Sequence, residues 1–211
     1  LKLENEKETL EVIVLNSGKD KALLYFGGNA EAVVHNAVDF LTAFPLHTVY
    51  LLNYRGYGGS SGQPTEKGIY SDALSLFDKV QEKQAIISVM GRSLGSGAAT
   101  YLASKRSVEK MVLVSPYDSI KNVAQNKFPI YPMFLLLKDK YDSIGRVKEI
   151  QAKTIILMAE NDEVIPKKHS LRLISEFPPE QITVKTISNT GHNDISNKME
   201  YYDHLKNFLN N

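Results

Sequence analysis

Short apolar runs rich in branched side chains recur along this chain of 211 residues, and stretches of helical periodicity separate them. Nearly continuous apolar runs are typical of strands buried on both faces of a mostly parallel sheet that helices cover. The alternation therefore predicts an α/β fold. Ile182–Ile187 alternates apolar and polar residues and is predicted to lie nearer a sheet edge. The other predicted strands are residues 10–15, 22–26, 48–52, 85–90, 111–114 and 154–158.

Three segments carry apolar stripes at helical spacing, two between strands and one at the C-terminus. Thr65 is a plausible N-cap for the longest one. We expect each stripe to face the sheet. The stripes are Tyr70, Ala73, Leu74, Phe77 and Val80; Val34, Ala37, Val38 and Leu41; and Met199, Tyr202, Leu205 and Leu209.

Composition and length favour a single domain over residues 1–211, since hydrophobic residues make up 43% of the chain and no linker-like tract divides it. Residues 118–146 are longer than an ordinary crossover and predict a small cap inserted over the sheet. Their apolar run, residues 128–137, is compatible with an acyl pocket, with a peripheral membrane contact, or with a cap packed on its own core. The run is too short for a membrane-spanning helix.

The charge and cysteine content exclude several function classes. A net charge of +1 gives no field to attract nucleic acid, and the absence of cysteine excludes disulfides, thiolate metal sites and cysteine nucleophiles. The first residue is Leu1 rather than Met, so we expect that the chain has been trimmed at this end. Such trimming is compatible with the loss of a targeting or anchor segment. A soluble cytoplasmic protein is the preferred expectation, and the compartment stays open.

One short motif points to covalent chemistry. Residues 91–95 read Gly-Arg-Ser-Leu-Gly, directly after a predicted strand and before a helix-compatible stretch. A nucleophile on such a strand-turn-helix projects its hydroxyl into the crevice at the end of the sheet, and the glycines allow close backbone approach. Ser93 is therefore the predicted nucleophile, and the alternative is a purely structural turn. The amide of Leu94, at the start of the helix, is the predicted donor to an oxyanion.

A serine hydroxyl needs a base, and the base needs an orienting acid. Asp162 and His192 follow the last two predicted strands, so both lie on the rim where Ser93 is expected, in the chain order that this arrangement uses. Glu160, Glu163 and Asp194 are alternative acids. The other histidines are weaker candidates for the base: His35, His47, His169 and His204.

A second oxyanion donor is expected in the loop after an early strand, where the chain reads Phe-Gly-Gly-Asn-Ala over residues 26–30. The backbone N–H of Asn29 is the candidate, and a helix N-cap role for its side chain is the alternative. Gly56, Gly58 and Gly62 hint at a dinucleotide loop, but the acidic residue that such a loop needs is missing. We interpret these glycines as turn formers and predict no cofactor and no metal.

Taken together, residues 53–60, 91–97, 161–166 and 191–193 resemble the α/β-hydrolase superfamily, and within it the abhydrolase-domain protein depalmitoylases and their bacterial relatives. The resemblance runs from about Ala22 to the C-terminus. It implies Ser93 as nucleophile, Asp162 as acid, His192 as base, and the amides of Asn29 and Leu94 as oxyanion hole. The family usually has His-Gly where this chain has Gly27 and Gly28, and its first strands look shortened here before Leu10. The cysteine-rich lipidated segment of the depalmitoylases is absent, so their substrate is not implied.

The sequence thus predicts a serine hydrolase of carboxylic esters or thioesters, acting on a small molecule or an acyl-protein. Arg55 and Arg92 are candidates for a negatively charged head group, with structural roles as the alternative. A prolyl-oligopeptidase-like peptidase, an acyltransferase and a non-catalytic binding module on a hydrolase scaffold stay open, as does the oligomeric state.

Overall fold

The computed structural model describes residues 1–211 and alternates strands and helices along nearly its whole length. The strands are β1 Lys2–Asn5, β2 Glu8–Leu15, β3 Lys21–Phe26, β4 His47–Leu52, β5 Ile86–Arg92, β6 Lys110–Val114, β7 Lys153–Ala159 and β8 Ile182–Ile187. The α-helices are α1 Ala37–Ala43, α2 Glu66–Gln81, α3 Leu94–Lys105, α4 Ile120–Lys127, α5 Met133–Leu136, α6 Lys167–Ile174 and α7 Met199–Asn210.

All eight strands form one sheet in the order β1-β2-β4-β3-β5-β6-β7-β8. The pairings from β4 through β8 are parallel, and the two that involve β2 are antiparallel. The predicted α/β class is confirmed, and β8 lies at the sheet edge as its alternating pattern indicated. Because β5 is central, the loop that follows it lies in the middle of the carboxyl rim.

Helices cover both faces of the sheet, because successive side chains of each strand point to opposite sides. Leu24 on β3 belongs to a core of 34 buried residues that includes the buried faces of α2 and α3. Its neighbour Leu23 belongs to a second core of 20 buried residues, which includes Phe40 of α1 and Leu205 of α7.

The first strand, β1, is not predicted by the sequence pattern. Lys2–Asn5 forms an antiparallel hairpin with β2, in which Leu3 pairs with Leu10. The sheet is therefore not cut short before Leu10, contrary to the expectation. With only Leu3 of its four residues buried, β1 has too few apolar positions for a recognisable pattern.

Two of the predicted helical stripes need correction. The stripe on α2 is confirmed, and Thr65 caps the helix by accepting a hydrogen bond from the Gly68 amide. In the second stripe, however, Val34, Val38 and Leu41 face solvent, and Phe40 and Ala43 pack inward instead. A 3₁₀ turn over Val33–Asn36 precedes α1, and its tighter winding shifts the buried face. On α7, Leu205 and Leu209 are buried as predicted, but Met199 is exposed and Tyr201 takes an inward position.

The segment between β6 and β7 carries α4 and α5, and neither helix contains a buried residue. Six large apolar side chains of residues 128–137 are between 46% and 91% exposed, so this run is not packed on a core of its own. They are Phe128, Ile130, Tyr131, Phe134, Leu135 and Leu136. Among the helices, none combines the length and the apolar character that crossing a bilayer requires.

Candidate active site

Ser93 stands on a strained turn between the central strand β5 and helix α3. Its backbone angles are φ 50° and ψ −117°, a conformation that residues other than glycine rarely adopt. The turn depends on two glycines: a Cβ on Gly95 would lie 2.0 Å from the Phe26 carbonyl oxygen, and one on Gly91 would lie 2.2 Å from the Gly95 carbonyl oxygen. Because these two glycines have no side chain, β5 and α3 can meet in a sharp turn that presents the serine hydroxyl at the carboxyl rim.

His192 and Asp162 reach Ser93 from the loops after β8 and β7. His192 Nε2 lies 2.9 Å from Ser93 Oγ, and His192 Nδ1 lies 2.9 Å from both carboxylate oxygens of Asp162. The His192 and Asp162 side chains are each only 6% exposed. The structure therefore brings three of the predicted residues into one hydrogen-bonded chain, in which the imidazole can take a proton from the hydroxyl while the carboxylate orients it.

The Asp162 carboxylate is held in its ionised form. Burial acts to raise the pKa of Asp162, but the hydrogen bonds from His192 and from the Ile165 amide outweigh it, and the pKa lies below its ordinary value. The amides of Val164 and Ile165 both donate to Asp162 Oδ1, at 3.0 and 2.7 Å. These bonds fix the carboxylate on the far side of the imidazole from Ser93.

The three alternative acids brace the surrounding loops instead. Glu163 Oε2 accepts from the backbone amide of His192 at 3.2 Å, and Asp194 Oδ1 accepts from the Gly191 amide at 2.6 Å. Glu160 Oε2 accepts from the Asn189 amide at 2.8 Å. Each carboxylate is used by a backbone N–H, and only Asp162 contacts the imidazole nitrogen.

Both predicted oxyanion donors lie close to Ser93. Leu94 is the first residue of α3, so its amide has no carbonyl to pair with inside the helix. Asn29 lines the same cleft as Ser93, and its backbone N–H makes no hydrogen bond within the protein. Its side chain does not cap a helix: Asn29 Oδ1 accepts from the Tyr57 hydroxyl, which in turn accepts from the Ala30 amide. Tyr57 thus contacts two successive residues of this loop.

Glu31 holds this loop and was not identified from the sequence. Its Oε2 accepts a 2.6 Å hydrogen bond from the Gly28 amide, and its Oε1 accepts from the hydroxyl of Tyr25 at 2.6 Å. Burial and the adjacent Glu31 carboxylate raise the pKa of Tyr25 well above its ordinary value, so this phenol stays a donor. A Cβ on Gly27 would lie 3.2 Å from Glu31 Cδ. Val33 Cγ1 would lie nearer, at 2.8 Å, so Val33 and the Glu31 carboxylate together occupy the space beside the position where the resembled family usually carries histidine.

Both arginines make contacts within the protein. The guanidinium of Arg92 donates to the carbonyl oxygens of His192 and Asn193 at 3.2 and 3.3 Å, and it lies 3.7 Å from Glu31. Arg55 makes a bidentate pair at 2.8 Å with the buried Asp72. The structure therefore does not support recognition of a head group by Arg55, because its guanidinium is already paired with Asp72.

The glycines of the loop after β4 have the turn role that the sequence indicated, since Gly56, Gly58 and Gly62 all have positive φ. A second buried acid-histidine contact lies elsewhere: Asp118 Oδ1 is 2.9 Å from His169 Nδ1 and joins the start of the 118–146 segment to α6. No spacing signal in the sequence distinguishes this pair. The structure contains no group of three or more His, Asp or Glu side chains arranged to hold a metal ion.

Comparison with known proteins gives relatives and structural neighbours. An uncharacterized protein of Mycobacterium tuberculosis is 32% identical over 188 residues, which cover 85% of this chain and 65% of that protein. The alpha/beta hydrolase domain-containing protein aho-3 of Caenorhabditis elegans is 29% identical over 194 residues, covering 89% of this chain and 57% of that protein. The chain thus spans less than two thirds of the length of either relative.

Among solved structures, the esterase Pf2001 of Pyrococcus furiosus matches 100% of this chain and 90% of its own, with a TM-score of 0.80 and 17% identity. No protein-family model matches the chain. The structural match extends over all the strands and helices that position Ser93, His192 and Asp162.

Proposed function

On the premise that this chain is an α/β-hydrolase-fold protein, with hydrolases and esterases as structural neighbours, we propose that it is a serine hydrolase of carboxylic esters or thioesters. The observation that carries the proposal is the continuous chain of hydrogen bonds from Ser93 Oγ through His192 to Asp162, each about 2.9 Å long. Strain at Ser93 supports it, because unfavourable backbone angles at a serine are typical of an exposed nucleophile.

The proposed reaction has two halves. Ser93 Oγ attacks the acyl carbonyl carbon while His192 Nε2 takes the hydroxyl proton and Asp162 stabilises the imidazolium that forms. The amides of Asn29 and Leu94 donate to the oxyanion, and loss of one such donor is expected to cost about 3 kcal/mol. His192 then gives its proton to the leaving alcohol or thiol. Water, activated by the same imidazole, releases the acid from the acyl-enzyme and restores the Ser93 hydroxyl.

Labelling with a fluorophosphonate probe tests this mechanism without assuming a substrate, since the probe phosphonylates an activated serine. The native chain is compared with Ser93→Ala and His192→Ala, all three with circular dichroism spectra that establish folding. We expect labelling of the native chain alone, and turnover of an activated ester in Ser93→Ala lower by about a million-fold. A folded native chain that takes up no probe would overturn the proposal.

A further inference from the structure

The exposed run of residues 128–137 has no partner within the protein, and we call it the apolar tip. None of its ten residues carries a charge. The run nevertheless contributes six of the sixteen large apolar side chains that are exposed on the whole chain. Single exposed apolar residues are ordinary, but so many in one short segment are typical of an interaction surface.

Gln125 holds the backbone of the apolar tip. Its Nε2 donates to the carbonyl oxygens of Phe128, Pro129 and Tyr131 at 3.4, 3.2 and 3.0 Å, and its Oε1 accepts from the Met133 amide at 3.1 Å. Polar groups of the tip backbone therefore have partners on α4. The tip can enter an apolar medium without leaving these groups unpaired, which would be costly there.

A basic depression adjoins the apolar tip, and it lies between α4 and α6 with a volume of about 450 Å³. Pro129 of the tip forms part of its wall, so the two surfaces are continuous. No carboxylate residue lines it. The other wall residues are three amides and three basic side chains: Asn122, Gln125, Asn126, Lys168, His169 and Arg172. Cations and amides without an acid suit an anionic group such as a phosphate.

The shape of the basic depression is fixed by the buried carboxylate of Asp118. Asp118 Oδ2 accepts from Asn122 Nδ2 of α4 at 2.9 Å and from Arg172 of α6 at 3.3 Å, and Asp118 Oδ1 lies 2.9 Å from His169 Nδ1. These contacts hold the two helices together. The Arg172 side chain is still 63% exposed, so much of its guanidinium faces solvent.

More lysines surround the apolar tip. Lys127 and Lys138 border it directly, Lys140 follows, and all three are exposed. The ion pairs that lysines make within the protein involve other lysines only. Asp139, between two of the three, is occupied by a hydrogen bond from the Glu66 amide. The tip is therefore an uncharged apolar surface enclosed by unpaired positive charge.

This distribution of charge selects the partner. In a symmetric contact with a second copy, the same lysines of both copies would come together and repel. A bilayer with anionic lipids has the complementary arrangement, since apolar side chains enter the boundary of the acyl chains while lysine and arginine remain among the phosphates.

We propose that the apolar tip and the basic depression together form a docking surface for an anionic membrane, with the tip inserted at the interface and a lipid phosphate in the depression. The segment that carries both leaves the sheet after β6, which is parallel to β5, so it begins at the rim where Ser93 lies. Docking would hold this rim near the bilayer. The inference goes beyond the proposed hydrolase function and does not depend on it.

Sedimentation with lipid vesicles tests the proposal without any enzymatic turnover. One set of vesicles is phosphatidylcholine alone, and the other contains about one third phosphatidylglycerol. We expect the native chain to sediment with the anionic vesicles only, and less so as salt is raised. Leu135→Asp and Lys168→Glu are each expected to weaken this binding about tenfold, through the tip and the depression respectively.

Each variant has a matched control on another part of the surface. Val38→Asp makes the same kind of change as Leu135→Asp at a side chain that is 74% rather than 72% exposed, on α1 at the other face of the sheet. Lys153→Glu reverses the charge of an exposed lysine at the start of β7, on the opposite rim from Ser93. We expect both controls to bind like the native chain, and thermal unfolding checks that all four variants are folded.

Several results would overturn the proposal. A native chain that does not sediment with anionic vesicles at low salt has no such surface, and equal sedimentation with both kinds of vesicle would remove the role of the basic depression. Losses in the controls that match those in Leu135→Asp and Lys168→Glu would place binding elsewhere. Self-association that Leu135→Asp abolishes, measured by analytical ultracentrifugation without any vesicle binding, would assign the tip to a second copy.

Discussion

Glu31 accepts a 2.6 Å hydrogen bond from the backbone amide of Gly28, so a side-chain carboxylate anchors the loop that presents Asn29 beside Ser93. The same carboxylate lies 3.7 Å from Arg92, whose guanidinium donates to the His192 carbonyl oxygen. Arg92, the last residue of β5, therefore links the loop after β3 by an ion pair with Glu31 and the loop after β8 by a hydrogen bond to the His192 carbonyl oxygen. These contacts hold the loop after β3 at the position where the resembled family usually carries histidine and this chain has Gly27.

Removing that anchor is expected to lower kcat more than it changes KM. In Glu31→Ala the Gly28 amide loses a charged acceptor, and the loop no longer holds the Asn29 amide where the oxyanion develops. We expect kcat on p-nitrophenyl acetate to fall about 10- to 100-fold. Glu31→Gln retains an oxygen acceptor and is expected to recover most of the activity. Equal losses in both variants would argue against a positioning role for this contact.

The assignment of the orienting acid predicts a contrast between neighbouring residues. Asp162→Asn keeps the side-chain shape but removes the charge that stabilises the imidazolium, so we expect kcat to fall about 10⁴-fold. Glu163→Gln changes a carboxylate that contacts only the His192 backbone amide, so a loss of less than about tenfold is expected. Steady-state kinetics on one activated ester measures both. Comparable losses would mean that Asp162 is not the orienting acid.

The turn at Ser93 predicts a large stability cost for one added methyl group. In Gly95→Ala the new Cβ would overlap the Phe26 carbonyl oxygen, a backbone atom that cannot rotate away, so β3 and α3 must separate. We expect the free energy of unfolding in urea to fall by at least about 3 kcal/mol. Gly18→Ala is the comparison: that glycine has positive φ but open space around it, and about 1 kcal/mol of strain is expected. Similar costs for the two variants would refute the close approach.

Much of this fold is readable from the sequence because buried parallel strands are nearly uninterrupted apolar runs. Residues 48–52, for example, were predicted as a strand and form all but one residue of β4. The convergence of Ser93, Asp162 and His192 also follows from the order of elements, since loops at the carboxyl ends of parallel strands share one rim.

Other features depend on contacts that no local pattern encodes. Val34 and Val38 would lie on one inward face only if the whole segment were an α-helix with 3.6 residues per turn. The 3₁₀ turn before α1 has fewer residues per turn and rotates the face that packs inward. Glu31 is an ordinary acidic residue in the sequence, and its importance arises from Gly28, Tyr25 and Arg92 meeting it in space. The peripheral membrane contact considered for residues 128–137 stays a prediction.

His47 predicts how stability depends on pH. Burial, with the nearby charges of Lys21 and Lys110, lowers the pKa of His47 from 6.5 to about 4. Between these values the unfolded chain binds a proton at this site that the folded chain does not, so the free energy of unfolding falls as pH falls from 6.5 to 4. In His47→Gln we expect this slope to decrease by up to about 1.4 kcal/mol per pH unit, measured by urea unfolding at several pH values. A slope in His47→Gln equal to that of the native chain would contradict the prediction.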